Sequence, residues 1–327
     1  MVKSCSIIVK KPYSKPWLSV DDQLAKLESR GLVVTDRGAA LKFLSYINYY
    51  RFAGYALKFE QWDATAGDRV FNAGVTFDDV RFVCEFDRDL RDVFFKGLEL
   101  VEISLRTTIA YKFAEKYGPF GHLHEANFCF RSAFRVPSAT TSKTSYQGWH
   151  EKILRETARS KETFVKHFED HYTQFPDLPI WVVGEICSFG TLSEMLSNLH
   201  RRDQMTIASV YRLKCDEVVS WAHALTYVRN ICAHHARLWD KVVRITPMLP
   251  TNNANWAKMK GREKTVYVSA LVLNWMLAHD SVDVAAHKKW KNKLESLMDR
   301  MQSRFPTLFI ATGFDVNWKR NPLWWQY

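Results

Sequence analysis

The sequence has no closely paired cysteines and no apolar run long enough to cross a membrane. Its six cysteines are scattered over 327 residues without a C-x-x-C spacing, so neither a disulfide framework nor a zinc ribbon is expected. The most apolar segment, residues 266–278, is interrupted by Ser269 and Asn274 and is shorter than the ~20 residues of a membrane-spanning helix. The apolar residues 7–9 are too few for a secretory signal. We therefore expect a cytoplasmic protein without a membrane partner.

Acidic side chains are outnumbered by basic ones. The chain has 46 lysines and arginines against 35 aspartates and glutamates, a net charge of +11 and a pI near 9.3. Such an excess favours a polyanionic partner, although a solvated basic surface produces the same imbalance. With 47% hydrophobic residues, the chain is a globular protein that can form one large domain or two.

Strand-like alternation of apolar and polar residues is also scarce, and no internal repeat is visible. Apolar residues recur instead at spacings of three and four, which is typical of amphipathic helices. We predict an all-α protein in three segments. Residues 1–75 form an N-terminal helical segment packed on the body, and residues 76–240 a helical bundle with a mobile loop near 118–145. Residues 241–327 contribute C-terminal helices and an aromatic tail to the same globule.

Capping residues predict where helices begin. Six polar residues stand just before helical patterns: Ser19, Asp36, Thr76, Thr191, Asp203 and Asp216. The longest predicted helix runs from Thr76 to about Tyr117, and Gly97 within it predicts either close packing or a kink. Residues 149–172 are expected to form another helix, and helical pattern returns over 264–278 and 284–301.

The most informative stretch lies at the end of a predicted helix over residues 218–235. A guanidinium, a carboxamide and two imidazoles are crowded there, at Arg229, Asn230, His234 and His235. Polar groups in such a cluster need partners or a function, because burying them unpaired is costly. Arg229 and His234 are about 140° apart around an ideal helix. They can therefore line two sides of a groove or face a second copy of the chain.

An arginine and a histidine are sufficient to cleave RNA without a metal ion. A neutral imidazole near pH 7 can accept the proton of the 2′-hydroxyl or donate one to the leaving 5′-oxygen. A guanidinium can bind the non-bridging phosphate oxygens, on which negative charge accumulates in the transition state. The alternative is a structural network that ties helices together. A zinc site at Cys232, His235 and His223 lacks a fourth ligand at a familiar spacing.

These residues resemble two known patterns. Arg229-Asn230-x-x-x-His234 is similar to the Arg-x4–6-His motif of HEPN ribonucleases, and the string from Arg229 to His235, followed by Arg237-Leu238-Trp239, resembles the signature of the Abi-like (abortive infection) bacterial family. Other strings resemble that family in the same order: Lys11-Pro12-Tyr13, Gln23-Leu24, Arg30-Gly31-Leu32, Ile47-Asn48-Tyr49-Tyr50-Arg51-Phe52, Gly54-Tyr55, Asp87-Arg88-Asp89-Leu90-Arg91, Glu102-Ile103-Ser104-Leu105-Arg106, Pro179-x-Trp181 and Phe189-Gly190-Thr191. The resemblance runs from about Lys11 to Trp239.

The resemblance implies a HEPN-like helical bundle with additional N- and C-terminal helices. It implies a homodimer, in which each chain donates one arginine and one histidine to a shared cleft. Arg229, His234 and Asn230 would then be the catalytic residues of a metal-independent, cofactor-free endoribonuclease that leaves a 2′,3′-cyclic phosphate and a 5′-hydroxyl. The implied role is anti-phage and toxin-like, restrained by a partner such as a small RNA.

Further residues are candidates for supporting roles. His235 competes with His234 as the acid–base group, although the family pattern favours His234. Arg237 is a further candidate beside the motif. Glu102 and Arg106, four residues apart on a predicted helix, form either a surface pair or a brace for Arg229.

Candidate RNA-binding residues lie away from the motif. They are Arg51, among aromatic residues that either stack bases or fill the core, and Lys288, Lys289 and Lys291, part of a basic stripe that suits phosphate. Two other functions stay open. The chain could be a non-catalytic RNA-binding protein, or a DNA-binding regulator that uses the helical hairpin over residues 19–44.

Overall fold

The computed structural model describes residues 12–14, 16–130, 146–279 and 283–326. Over these residues the protein is predominantly helical, which confirms the all-α prediction. No helix in these ranges is long and apolar enough to span a membrane. The expected mobile loop near 118–145 falls largely outside them. Only its first part, to Phe130, is described, and it contains two short 3-10 turns, Gly121–Leu123 and Glu125–Asn127.

The chain divides into two compact units, residues 1–86 and 87–327. The first contains α1 (Val20–Ser29), α2 (Arg37–Ile47), α3 (Tyr49–Ala56), β1 (Glu60–Asp63), β2 (Asp68–Phe71) and the start of α4 (Phe77–Tyr117). The predicted caps are confirmed for these helices. Ser19 Oγ accepts from the Asp22 amide, and Asp36 Oδ1 accepts from the Ala39 amide. Thr76 and Asp79 cap α4 reciprocally.

An antiparallel hairpin in the first unit was not predicted. Strands β1 and β2 pair from Glu60 opposite Phe71 to Asp63 opposite Asp68. Both strands are short and mostly solvent-facing, so they lack the alternating apolar pattern that identifies a strand. The aromatic residues of α3 supply part of the core, where Phe52 stacks on Phe77 with ring centroids 4.6 Å apart. Tyr46 and Tyr50, by contrast, are exposed.

The second unit contains the rest of α4 and eleven further helices in its described residues. They are α5 (Tyr146–Arg159), α6 (Thr163–His171), α7 (Ile180–Ile186), α8 (Phe189–Asn198), α9 (Arg201–Val210), α10 (Cys215–Ala233), α11 (Ala254–Ala257), α12 (Val266–His279), α13 (Val284–Arg304), α14 (Pro306–Ile310) and α15 (Pro322–Trp325). The helix predicted over 149–172 is two helices, because the polar residues 160–162 separate α5 from α6. Helix α12 is almost entirely buried. The tail packs on this helix, where Asn274 donates to the carbonyls of Leu323 and Trp324.

Three predicted helix starts in the second unit are wrong. Helix α8 is capped by Ser188, whose hydroxyl accepts from the amide of Thr191. Asp203 lies in the first turn of α9 and accepts from Lys116 and Tyr117 instead of capping. Asp216 lies inside α10 and pairs with Arg201. Asp203 and Asp216 bind side chains of other helices instead of a backbone amide. At α8, the hydroxyl of Ser188 caps the helix in place of Thr191.

Helix α13 packs closely on α4 at Gly97. The indole nitrogen of Trp290 donates to the carbonyl of Val93 at 3.0 Å. A Cβ atom on Gly97 would lie 2.6 Å from that nitrogen. The glycine therefore allows close packing, the first of the two expectations for this position.

Candidate functional site

Helix α10 ends in a turn that presents its last polar side chains to solvent. His234 is the C-cap, and His235 follows in the left-handed region with φ of 53°. The His235 amide donates to the carbonyl of Cys232 (3.1 Å) and the Ala236 amide to that of Ile231 (3.0 Å). These two bonds close a Schellman motif, whose left-handed residue is usually glycine.

The side chains of Asn230, His234 and His235 are exposed, whereas Arg229 is only partly accessible. The buried face of the same helix consists of Val228, Ile231 and Cys232. The polar cluster predicted from the sequence is thus on one end of α10 and open to a ligand. The two imidazoles are accessible to a bound molecule, and the Arg229 side chain is less exposed than they are.

Arg229 is held by a carboxylate from the long helix α4. Its Nε lies 3.4 Å from Glu102 Oε2, and Glu102 is only 8% exposed. The other oxygen of Glu102 accepts from Arg106 Nη2 at 2.5 Å. Arg106 in turn donates to the carbonyls of Gly184 and Glu185 near the end of α7. Glu102 and Arg106 therefore form a largely buried pair that braces Arg229, not an isolated surface pair.

This network leaves a positive charge at the site. One carboxylate faces two guanidiniums, so the group carries a net charge of about +1 at neutral pH. The contact between Arg229 and Glu102 is ionic, because Arg229 Nε makes no hydrogen bond to any residue in the described ranges. A partly buried guanidinium that is oriented in this way is suited to an anionic oxygen, because Coulomb attraction is stronger away from bulk water.

Asp87 fixes the segment that follows the motif. This residue is fully buried, and its Oδ1 accepts from the amides of Leu238 (2.9 Å) and Trp239 (2.7 Å). Its Oδ2 accepts from Arg91, also buried. Asp87 and Arg91 belong to one of the strings that resemble the family, and the sequence alone indicates no role for them. The available signal was a carboxylate on the apolar stripe of α4, between Phe86 and Leu90.

The chain after the motif is anchored at two further points. Leu238 and Trp239 are fully buried, and the Trp239 indole donates to the Leu308 carbonyl at 3.2 Å. Arg237, a candidate supporting residue, lies 2.9 Å from Asp240 and is 39% exposed at its side chain. Arg237 is therefore ion-paired with Asp240 next to the motif.

The predicted RNA-binding residues lie on helices other than α10. Arg51 lies on α3 in the first unit, half-buried. Lys288 and Lys289 lie on α13 and are exposed. Lys291 donates to the carbonyl of Trp324, and burial lowers the pKa of this lysine. Its ammonium is therefore engaged with the tail.

Burial also decides the chemistry of the nearby cysteine. It raises the pKa of Cys232 to about 12, so the thiol is protonated at neutral pH and is a poor zinc ligand. Burial lowers the pKa of His223. Across the described ranges, no three His, Cys, Asp or Glu side chains are grouped closely enough to hold a metal ion.

Comparison with protein families identifies the class of protein that carries this site. The family model described as Abi-like protein matches residues 42–240, more than half of the chain and including Glu102, Arg229 and His234. The chain belongs to the Abi-like family, whose name refers to abortive infection. Comparisons with curated proteins and with solved structures gave no match.

Proposed function

We propose that this protein is a metal-independent endoribonuclease of abortive-infection type, with its site at the C-terminal end of α10. The observation that carries the proposal is that the Arg229 guanidinium, held by the buried Glu102, and the exposed imidazole of His234 lie close in sequence at the C-terminal end of α10. Family membership is consistent with a defence role.

The chemistry requires two proton transfers and one charge stabilisation. The 2′-oxygen attacks the adjacent phosphorus, the P–O5′ bond breaks, the 2′-hydroxyl loses its proton and the 5′-oxygen gains one. His234 performs one of these transfers, and Arg229 binds the non-bridging oxygens as their charge increases. Asn230, exposed one residue after Arg229, is positioned to donate to a phosphate or 2′-oxygen.

One imidazole cannot serve both transfers at once. We propose that a second copy of the chain supplies the other across a two-fold axis, so that the active species is a homodimer. Cleavage per chain should then rise with protein concentration until the dimer is saturated, as followed by sedimentation and initial rates on the same samples. A rate per chain independent of concentration, in a monomeric sample, would contradict the shared cleft.

The direct test is cleavage of a mixed single-stranded RNA pool in EDTA. His234→Ala and Arg229→Ala should each lower the rate roughly a hundredfold or more, and wild type should leave 2′,3′-cyclic phosphates. His124→Ala and Arg155→Ala, which remove an exposed histidine and an exposed arginine elsewhere, are matched controls. Equal activity in all five proteins would show that cleavage comes from another site or a contaminant.

A non-catalytic RNA-binding protein is the second candidate. It is favoured by the brace itself, because Glu102 and Arg106 hold Arg229 in a fixed place whether the phosphate is cut or only bound. This function predicts intact RNA in every lane and weaker binding by Arg229→Ala than by Arg155→Ala.

A further inference from the structure

A groove of about 640 Å³ runs between α4 and α13 on the second unit. Helix α4 contributes Asp89 and Val93, and α13 contributes a row of polar and basic residues from Ala285 to Arg300. The two helices are held together beneath it by Trp290, which donates to the Val93 carbonyl and packs against Gly97. The groove is therefore built on a rigid contact.

The groove is basic over most of its length. Lys288, Lys289 and Lys293 line it and are exposed. In the described part of the chain, none of the three lysines has a hydrogen-bond or ion-pair partner. Arg300 also lines the groove and forms an ion pair with Asp89, with 3.0 Å between Nη2 and Oδ2. From Lys288 to Arg300 the charges extend along about 18 Å of one face of α13.

The lining suits a phosphate backbone better than bases. Asn292 and Ser296 lie between the basic residues and can donate to oxygens, and the lining contains no aromatic side chain on which a base could stack. The positive stretch is also bounded. Beside its C-terminal half, the adjoining surface includes the carboxylates of Glu295 and Asp299, so an anionic strand is favoured most toward the N-terminal end of α13.

The groove and the Arg229 site lie on opposite sides of α4. Val93 faces the groove and Glu102 faces Arg229, and the two residues are nine positions apart in one helix. On an ideal helix that is a rotation of about 180° and a rise of about 13.5 Å. A short RNA bound in the groove therefore cannot also occupy the Arg229 site. The groove is not an extension of that site.

We propose that this groove is a second RNA-binding site, which holds the phosphodiester backbone of a single strand without reading its sequence. The identity of the anion as RNA rests on the proposed function, whereas the site rests on the groove and its unpaired lysines. Lys291, a candidate from the sequence, does not line the groove, because its ammonium is engaged by the carbonyl of Trp324. RNA held here is retained while another stretch is cut, so long substrates gain affinity that short ones lack.

The test measures binding separately from cleavage. The His234→Ala protein is titrated with a single-stranded RNA of about 20 nucleotides at several salt concentrations. This RNA is longer than the ~4–16 nucleotides that one OB-fold covers. Replacing Lys288, Lys289 and Lys293 together with glutamine should weaken binding at least tenfold and reduce the salt slope by about 2, since each phosphate contact on a single strand contributes about 0.7. Glutamine at Lys112, Lys161 and Lys166, exposed lysines outside the groove, should change affinity less than twofold.

Outcomes for the two proposals differ. An unchanged salt slope in the groove variant, or an equal loss in the control variant, would overturn the second site whatever the cleavage assay shows. Loss of binding to vesicles rich in anionic phospholipid, with RNA binding unchanged, would assign the groove to a membrane surface and overturn the RNA assignment. With the His234 side chain present, the groove variant should cut a long RNA more slowly than wild type does. Absence of any cleavage by wild type, with groove-dependent binding intact, would refute the nuclease and leave the groove.

Discussion

His235 occupies the backbone position that glycine usually takes at the end of a helix. Its φ of 53° and the two bonds of the Schellman motif define this position, and a side chain there costs about 1–2 kcal/mol. We predict that His235→Gly stabilises the protein by about 1 kcal/mol, measured as an increased urea midpoint with unchanged m-value. His235→Ala keeps the left-handed strain and should not give this gain.

The same substitution distinguishes the two histidines. If His234 transfers the proton, His235→Gly should be a more stable protein that still cleaves RNA. If cleavage is lost while stability increases, His235 is the acid–base residue, and an imidazole has been retained at a position that favours glycine. A less stable His235→Gly protein would show that the side chain has a stabilising partner worth more than the backbone strain.

Asp87 connects α4 to the segment after the motif through the amides of Leu238 and Trp239, and it also pairs with Arg91 on α4. Removing one partner of a buried ion pair costs about 3–5 kcal/mol. We predict that Asp87→Ala lowers the free energy of unfolding by that amount and that Asp87→Asn, which keeps one carbonyl acceptor, loses less. Urea unfolding measures both.

Asp89 provides the matched control. It lies two residues further along α4 and pairs with Arg88 and Arg300 at the surface, where ion pairs contribute about 0–1 kcal/mol. Asp89→Asn should therefore be nearly neutral for stability. If Asp87→Ala is equally mild, the buried carboxylate does not hold the segment in place.

Helices α4 and α13 make a close contact that a single substitution can probe. Alanine forms helices better than glycine by about 1 kcal/mol, yet a Cβ on Gly97 would overlap the Trp290 indole. Because overpacking costs about 1–3 kcal/mol, we predict that Gly97→Ala lowers the thermal midpoint. Gly190 in α8, where the nearest atoms to a new Cβ are 3.7 and 3.8 Å away, should accept alanine without loss. An increased midpoint for Gly97→Ala would show that Trp290 moves freely.

Helix α4 was predictable because all its signals are local. Thr76 and Asp79 cap it, its apolar stripe is continuous, and it ends at Tyr117 as expected. The helix starts at Asp203 and Asp216 were wrong because their carboxylates bind side chains that lie elsewhere in the chain. The local sequence does not show whether an aspartate caps a helix when a cation elsewhere in the chain binds its carboxylate instead.

The candidate site shows the same division between local and distant information. The Arg229 and His234 pair is visible in one short string, and Glu102 with Arg106 in another. Their approach to each other is a property of the folded unit. The bond from Asp87 to Leu238 joins residues 151 positions apart, and nothing in the local spacing of either string indicates it.

For the whole molecule, two buried histidines make stability depend on pH. Burial, with nearby positive charges or histidines, lowers the pKa of both His122 and His287 to about 4, against about 6.5 in an unfolded chain. The unfolded state therefore binds more protons between these values. Stability should be complete above about pH 6.5 and fall toward pH 4, by roughly 3 kcal/mol for each histidine.

This prediction can be checked by thermal unfolding from pH 4 to pH 7. The double variant His122→Gln and His287→Gln should have a flatter profile than wild type, even where its midpoint at pH 7 is lower. His124→Gln, an exposed neighbour, should keep the wild-type slope. An identical slope in the double variant would assign the acid sensitivity to other groups.

The amide of Asn274, which binds the carbonyls of Leu323 and Trp324, has a consequence for synthesis. Helix α12 is apolar around its whole circumference, and the residues that this amide holds over it follow 49 and 50 positions later in the chain. When α12 has just emerged from the ribosome, the residues that cover it have not yet been synthesised. The helix therefore remains exposed, and accessible to chaperones, until those residues emerge. The unit that carries Arg229 and His234 therefore completes its packing late in translation.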